Sequence, residues 1–264
     1  MDLIEAPSEN NITMTNVVAR ASHELKLGEK RLICAALSSL DSMTAKRLFD
    51  AKMQVGFSAR VSAHDYAEQF GLDASTAYTQ LKESCDLLYE RHIRFEEKGR
   101  KGKIITKVRW VSSAKYAEGE GWVELRFTPE LAPHVLGLRS NFTTYKLKHA
   151  AGLDTTYAWK LYELLMSWKS TGRYEVTVEE FHKVMEVPAS STKSFAHLRV
   201  NVIEPSIKSI NARTDLMVQY STIKSGRKVA GLEFRFIQNP ERQLDFEDAN
   251  ANAGAVEVAA AVLT

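Results

Sequence analysis

The chain has 264 residues, 44% of them hydrophobic, with 35 lysines and arginines against 33 acids and a formal net charge of +2. That length accommodates about two domains of ~100–200 residues, and an apolar share of this size fills real cores, which excludes a disordered chain. No apolar run approaches the ~18 residues of a membrane span, and Met1 to Asn11 is acidic without an apolar signal core, so a cytoplasmic protein with no membrane association is expected.

In chain order, Val17 to Asp41 carries a helix signal, with Leu32, Ile33, Ala36, Leu37 and Leu40 at helical spacing and Glu29, Lys30 and Arg31 on an early polar turn. Lys52 to Val61 alternates as a strand. Ser62 reads as the N-cap of a helix over Ala63 to Phe70. After the turn at Gly71, a second helix runs from Ser75 to about Glu90 on the stripe Tyr78, Leu81, Cys85 and Leu88. Arg91 to Glu96 and Lys103 to Ser112 read as strands around a basic turn holding Lys98, Arg100, Lys101 and Lys103. Trp122 to Thr128 is a further strand, and Pro129 opens a short helix to about Leu136.

The order then recurs. Thr155 to Lys169 is an amphipathic helix ended by Gly172, Tyr174 to Val178 a strand, Val178 to Glu186 a short helix and Pro188 to Thr192 a turn. Ser194 opens a longer helix. Leu216 to Ile223 and Val229 to Ile237 are strands joined by a turn bearing Lys224, Arg227 and Lys228. Helix, strand, helix, turn, helix and basic hairpin thus appear twice, dividing near Leu138 to Thr143. The expected fold is α+β, two tandem winged-helix domains. An acidic flexible segment spans 1–15, the domains cover 16–138 and 139–240, and an acidic, Ala-rich flexible tail covers 241–264.

Charge follows the same division. Residues 241–264 carry five acids and one base, and residues 1–15 three acids and no base, which leaves +9 on residues 16–240. A basic body with acidic ends suits a polyanionic partner.

In the longer helix, Phe195, Leu198, Val202, Ile203 and Ile210 are expected to pack inward, while Ser194, His197, Asn201, Glu204 and Lys208 step by three or four along the opposite face. Donors and acceptors on such a face meet base edges in a major groove. The front half reads bases in such units, which favours Lys193, Ser194, His197 and Asn201. Arg199 and Lys208 suit phosphates or acidic partners. Any surface helix also has a polar face, and a solvated surface is the other reading of these residues. Pro205 is expected to kink or break the helix, since proline lacks the donor and clashes with the preceding turn. The basic tips at 98–103 and 224–228 read as wings on flanking phosphates or as solvated turns. In the first unit Ser75, Thr76, Thr79, Lys82 and Glu83 face away from the apolar stripe, for backbone contact or a protein interface.

Catalytic patterns are missing. No glycine-rich loop precedes a Lys-Ser/Thr pair, and no His-x-His or His-Glu-x-x-His occurs. Neither a cofactor nor a metal is expected, and no enzyme activity. Tyr145, Tyr157 and Tyr162 could be imagined as strand-transfer nucleophiles but read as structural. Trp110, Trp122, Trp159 and Trp168 read as core rather than as base-stacking aromatics. Cys34 and Cys85 read as buried, reduced thiols.

Several segments resemble the iteron-binding plasmid replication initiators: Leu27-Gly-Glu-Lys-Arg-Leu32, Phe142-Thr-Thr-Tyr-Lys-Leu147, Ala158-Trp-Lys-Leu-Tyr-Glu-Leu-Leu165, Leu198-Arg-Val-Asn-Val-Ile-Glu-Pro-Ser-Ile207 with Ile210-Asn211, and Lys224-Ser-Gly-Arg-Lys228 leading to Phe234-Arg-Phe236. The resemblance covers roughly residues 16–240. It implies two winged helices that bind double-stranded direct repeats at a plasmid origin as a monomer, open the adjacent duplex and recruit host helicase and replication initiation proteins. It also implies a dimer, joined through the N-terminal domain, that represses its own promoter. The second winged helix is then the main DNA reader, and the first supplies backbone contacts and self-association. A stand-alone repressor and an origin-nicking enzyme are the alternatives.

Overall fold

The helix signal over 17–41 builds two helices rather than one, α1 (Asn16–Arg20) and α2 (Leu27–Ser38). Glu186, far along the chain, causes the interruption. Its Oε1 accepts hydrogen bonds from the backbone N–H of His23 at 2.5 Å and of Glu24 at 2.9 Å, and Glu24 takes a left-handed φ of 49°. The computed structural model describes residues 11–21, 23–40, 56–136, 142–188 and 194–239. The tail at 241–264, residues 1–10, Lys52 to Val55 of the expected strand and most of the 188–192 turn lie outside them.

The first unit follows α2 with β2 (Ser58–Ser62), α3 (Ala63–Phe70) and α4 (Ala74–Glu90). Ser62 caps α3 by accepting from Asp65 N at 3.0 Å, as expected. Gly71 then leaves the helix at φ +61°, a conformation only glycine adopts without strain. The helix expected from Ser75 starts one residue earlier, at Ala74, and Asp73 caps it by accepting from Thr76 N at 2.9 Å. Ala77, Leu81, Cys85 and Leu88 face inward and α4 packs on α2. The approach is close enough that a Cβ on Gly28 would stand 2.5 Å from the Ser84 hydroxyl.

Beyond α4 come β3 (His92–Lys98), β4 (Lys103–Arg109), β5 (Val111–Ala117) and β6 (Trp122–Phe127). The expected strand over 103–112 is split at Trp110, whose buried ring marks the break. β3 pairs only with β4, whereas β2, β6 and β5 form a separate antiparallel sheet in that order. Val61, Val123, Leu125 and Phe127 alternate into the core on its inner face.

A short helix, α5 (Ala132–Val135), precedes the joining layer. Here β1 (Asn11–Thr15) pairs antiparallel with β7 (Phe142–Lys146), and α6 (Leu147–Ala151) follows. The flexible segment expected over 1–15 is therefore corrected over 11–15. Ile12 and Met14 are buried and Thr13 meets the Thr144 hydroxyl at 3.0 Å, so both apolar burial and pairing hold this strand.

The second unit repeats the first. Its parts are α7 (Thr156–Met166), capped by Thr155; β8 (Arg173–Thr177); α8 (Val178–Val184), with a Thr177–Glu180 capping box; a long helix; and the hairpin β9 (Leu216–Ser225) and β10 (Lys228–Gln238). The sheet order β8-β10-β9 matches β2-β6-β5. The long helix begins as α9 (Phe195–Leu198), widens into a π turn over Arg199–Ile203 and ends as α10 (Glu204–Arg213). The kink or break expected at Pro205 is thus replaced by a wider turn. Glu204 N reaches back to the Arg199 carbonyl, and the added spacing makes room for the proline ring just after it, at the start of α10.

One buried ion pair crosses between the units, Lys30 on α2 with Glu163 on α7 at 2.7 Å, while Lys160 on α7 meets Glu186 within the second unit at 2.8 Å. The residues expected on an early polar turn of α2 therefore include two that face the core: Lys30, and Glu29, which pairs with Arg91 at 3.0 Å. A charge can sit inside only when paired, and these pairs form between segments distant in sequence.

Candidate nucleic-acid interface

The matched sheet orders identify the wing of each unit. In the second it is the β9–β10 hairpin, whose two-residue tip turns at Gly226 with φ +62°. Lys224, Arg227 and Lys228 surround that tip, exposed and without an ion-pair partner among the described residues. In the first unit the equivalent hairpin is β5–β6, and its tip carries Glu118, Gly119, Glu120 and Gly121. The basic turn with Lys98, Arg100, Lys101 and Lys103 is instead the end of β3–β4, a hairpin inserted between α4 and β5. The expected equivalence of the two basic hairpins is corrected accordingly. Strand periodicity could not show this, because it does not say which strands pair.

The inserted hairpin leans on the second unit. Glu96 on β3 binds Lys103 at 2.9 Å and Lys183 on α8 at 3.2 Å. Hydrogen bonds from Lys103 and then Lys183 hold the Glu96 carboxyl down at about 2. A depressed carboxylate stabilises the folded state above its unfolded value of ~4.3 and loses that contribution as pH falls toward 2. Glu96→Gln is therefore expected to unfold more readily than wild type at neutral pH, with the difference disappearing near pH 2. Parallel acid titrations of the two proteins, followed by circular dichroism, check this.

On the long helix, Ser194, His197, Arg199, Asn201 and Lys208 are all exposed, while Leu198, Val202, Ile203 and Ile210 are buried and Phe195 half-buried. The inward set expected from spacing matches. Lys193 lies outside the described residues. Ser194 Oγ caps the helix by accepting from His197 N at 3.2 Å. Asn201 donates its amide to the His197 carbonyl at 3.0 Å, leaving its side-chain oxygen for a partner. Arg199 is paired with Glu204 at 3.4 Å, and Tyr220 meets the same carboxylate. Positions five apart do not share a face of an α-helix, but the π turn brings Arg199 and Glu204 together. Helical spacing places Glu204 on the polar face with His197 and Asn201, but it does not show that this acid occupies Arg199.

In the first unit Ser75, Thr79 and Lys82 are exposed and Thr76 is half-buried. Their polar atoms are largely engaged. Thr76 donates to Asp73 at 2.5 Å, Thr79 to the Ser75 carbonyl at 3.0 Å, and Lys82 pairs with Glu118 at 3.6 Å. Lys82 is thus tied to the acidic wing tip of its own unit.

The tyrosines and tryptophans sort by burial. Tyr145 donates to Glu163 at 2.5 Å and Tyr162 to Asp215 at 2.9 Å, and burial raises both hydroxyls well above the ordinary value. Trp110 and Trp159 are core, whereas Trp122 and Trp168 are half-buried beneath the guanidiniums of Arg60 and Arg20. Cys34 and Cys85 are buried free thiols, pushed by burial to about 12 and about 11. Thiols so raised carry little of the reactive thiolate at neutral pH.

Comparisons with known proteins agree with this architecture. Residues 11–166 match the family described as Initiator Replication protein, WH1, and residues 177–236 match Initiator Rep protein, WH2. These matches part at 166–177, whereas the packing of α7 on α10 groups α7 with the second unit. An uncharacterized 27.6 kDa protein of Escherichia coli is 27% identical over 82% of this chain and 91% of its own length. A probable replication protein of Bifidobacterium longum is 25% identical over 43% of this chain and 38% of its own. The Pi initiator protein, solved in complex with iteron DNA, shares the fold with a TM-score of 0.70 at 20% identity, over 88% of this chain and 98% of that one. With both family matches in order along a tandem pair of winged helices, the chain belongs to the initiator replication proteins.

Proposed function

We propose that this protein binds direct repeats, or iterons, at a plasmid origin as a monomer, promotes opening of the adjacent duplex and recruits host helicase and replication initiation proteins. In a dimeric form it represses its own promoter. It acts in the cytoplasm without catalysing a reaction and without a cofactor. The observation that carries this reading is the second winged helix: an exposed helix front at Ser194, His197 and Asn201 beside a wing tip whose Lys224, Arg227 and Lys228 are unpaired among the described residues. The fold shared with an initiator solved on iteron DNA supports it. In this reading the two winged helices occupy adjacent major grooves about 34 Å apart.

Footprinting on DNA flanking the gene tests the proposal. Tandem protected repeats are expected, and a single inverted repeat would favour a stand-alone repressor instead. Helix and wing also have separable roles. His197→Ala or Asn201→Ala is expected to lose about 1–3 kcal/mol of discrimination at particular base pairs. Lys228→Ala should weaken all sequences alike and lower the salt slope by about one. Binding to a library of mutated repeats distinguishes the two classes; identical behaviour would remove the base-reading role of the helix front.

A further inference from the structure

A cleft of about 210 Å³ opens where the joining layer meets the second unit. Its walls include Lys146 of β7, Lys148 and His149 of α6, Lys169 beyond α7, and Asp215 and Gln238 at the base of the wing hairpin. At ~30 Å³ per water it holds roughly seven waters, more than one phosphate group fills. Three lysines line it against one carboxylate. That carboxylate is already engaged, with Asp215 accepting from Tyr162 at 2.9 Å and from Gln238 at 3.2 Å. Lys146 and Lys169 have no ion-pair partner among the described residues. Burial pushes the His149 imidazole below its ordinary value; Asp215 pulls it up, and Lys148, Lys146 and Lys169 push it down.

We propose that this cleft is a binding site for a phosphate-bearing anion, held by Lys146, Lys148 and Lys169. Positive charges gathered in a partly enclosed cleft are only weakly screened, so a multivalent anion gains more there than on an open surface. The site is distinct from the wing tip. Leu216 pairs with Gln238 at the cleft end of the hairpin and Ser225 with Lys228 at the other, so ten residues at ~3.3 Å separate the two by roughly 30 Å.

Calorimetric titration of the full chain with inorganic pyrophosphate, at ionic strength balanced with chloride, tests the site. Saturable binding is expected, weakened about tenfold by Lys146→Ala and again by Lys169→Ala. Lys169 is exposed, so its variant keeps the fold, which circular dichroism verifies. Binding no stronger than that of chloride, or unchanged in a folded Lys169→Ala, would overturn the proposal. A second measurement identifies the source of the phosphate. If the site takes a free anion, both variants bind DNA as wild type does. If it takes a DNA phosphate, pyrophosphate competes with DNA and each variant flattens the salt slope.

Discussion

Between 50 and 200 mM salt, affinity for the DNA repeat is expected to fall about 10³–10⁵-fold, as for any protein neutralising ~6–10 phosphates. The cations available for this are identifiable. Lys98, Arg100 and Lys101 on the inserted hairpin and Lys224, Arg227 and Lys228 on the second wing are exposed and have no ion-pair partner among the described residues. If only these six displaced counterions, the slope of log affinity on log salt would be roughly −5, a loss of about 10³ over that range. Replacing Lys224, Arg227 and Lys228 together by alanine should reduce the slope by about three. Lys103 and Lys82 should matter less, since Glu96 and Glu118 already occupy them. Fluorescence anisotropy on a labelled repeat at several salt concentrations measures each slope, and a flat profile would remove the DNA-binding reading altogether.

Lys30→Met is expected to destabilise the protein by about 3–5 kcal/mol, because it leaves the Glu163 carboxylate buried without its counter-ion. Both side chains are almost wholly enclosed, at 4% and 1% exposure, and the other Glu163 oxygen accepts from Tyr145. At ~2–4 °C per kcal/mol for a protein of this size, the melting temperature should drop by roughly 6–20 °C. The double variant Lys30→Met with Glu163→Leu should regain most of the loss, since an apolar pair of similar volume replaces a buried ion pair at little cost. Thermal unfolding of the three proteins measures this, and a loss below ~1 kcal/mol for the single variant would mean that the pair is solvated.

The same junction gives stability a second pH dependence. Burial, then the fields of Lys160 and Lys30, hold the His23 imidazole well below its ordinary value, so the folded protein keeps it neutral. Unfolding exposes a group that binds a proton below ~6.5, so stability declines as pH falls through that value.

Much of the local structure was legible in the sequence. Ser62 before Ala63 announced a helix start, and Leu81, Cys85 and Leu88 marked an inward face. Leu198, Val202 and Ile203 did the same for the long helix. Each of these signals repeats within a few residues, where helix geometry alone fixes the outcome. The candidate site was half legible for the same reason: the helix front and wing tip of the second unit lie within one continuous stretch. The failures share a cause as well. The break between α1 and α2 is made by Glu186, more than 160 residues away. The π turn that seats Pro205 shifts the helical phase and brings Glu204 onto Arg199. The place of β1 depends on β7, its partner across more than 120 residues.

From its sequence, then, this protein determines its two-fold recurrence of helices and strands, its family and the basic tip of the second wing. Only the tertiary structure decided which hairpin of the first unit is its wing, which charges are buried at the junction and which lysines line the cleft. The physical reason is range. Periodicity and capping act over a turn or two of chain, whereas strand pairing and buried ion pairs are chosen among all segments that the fold brings within a few ångströms.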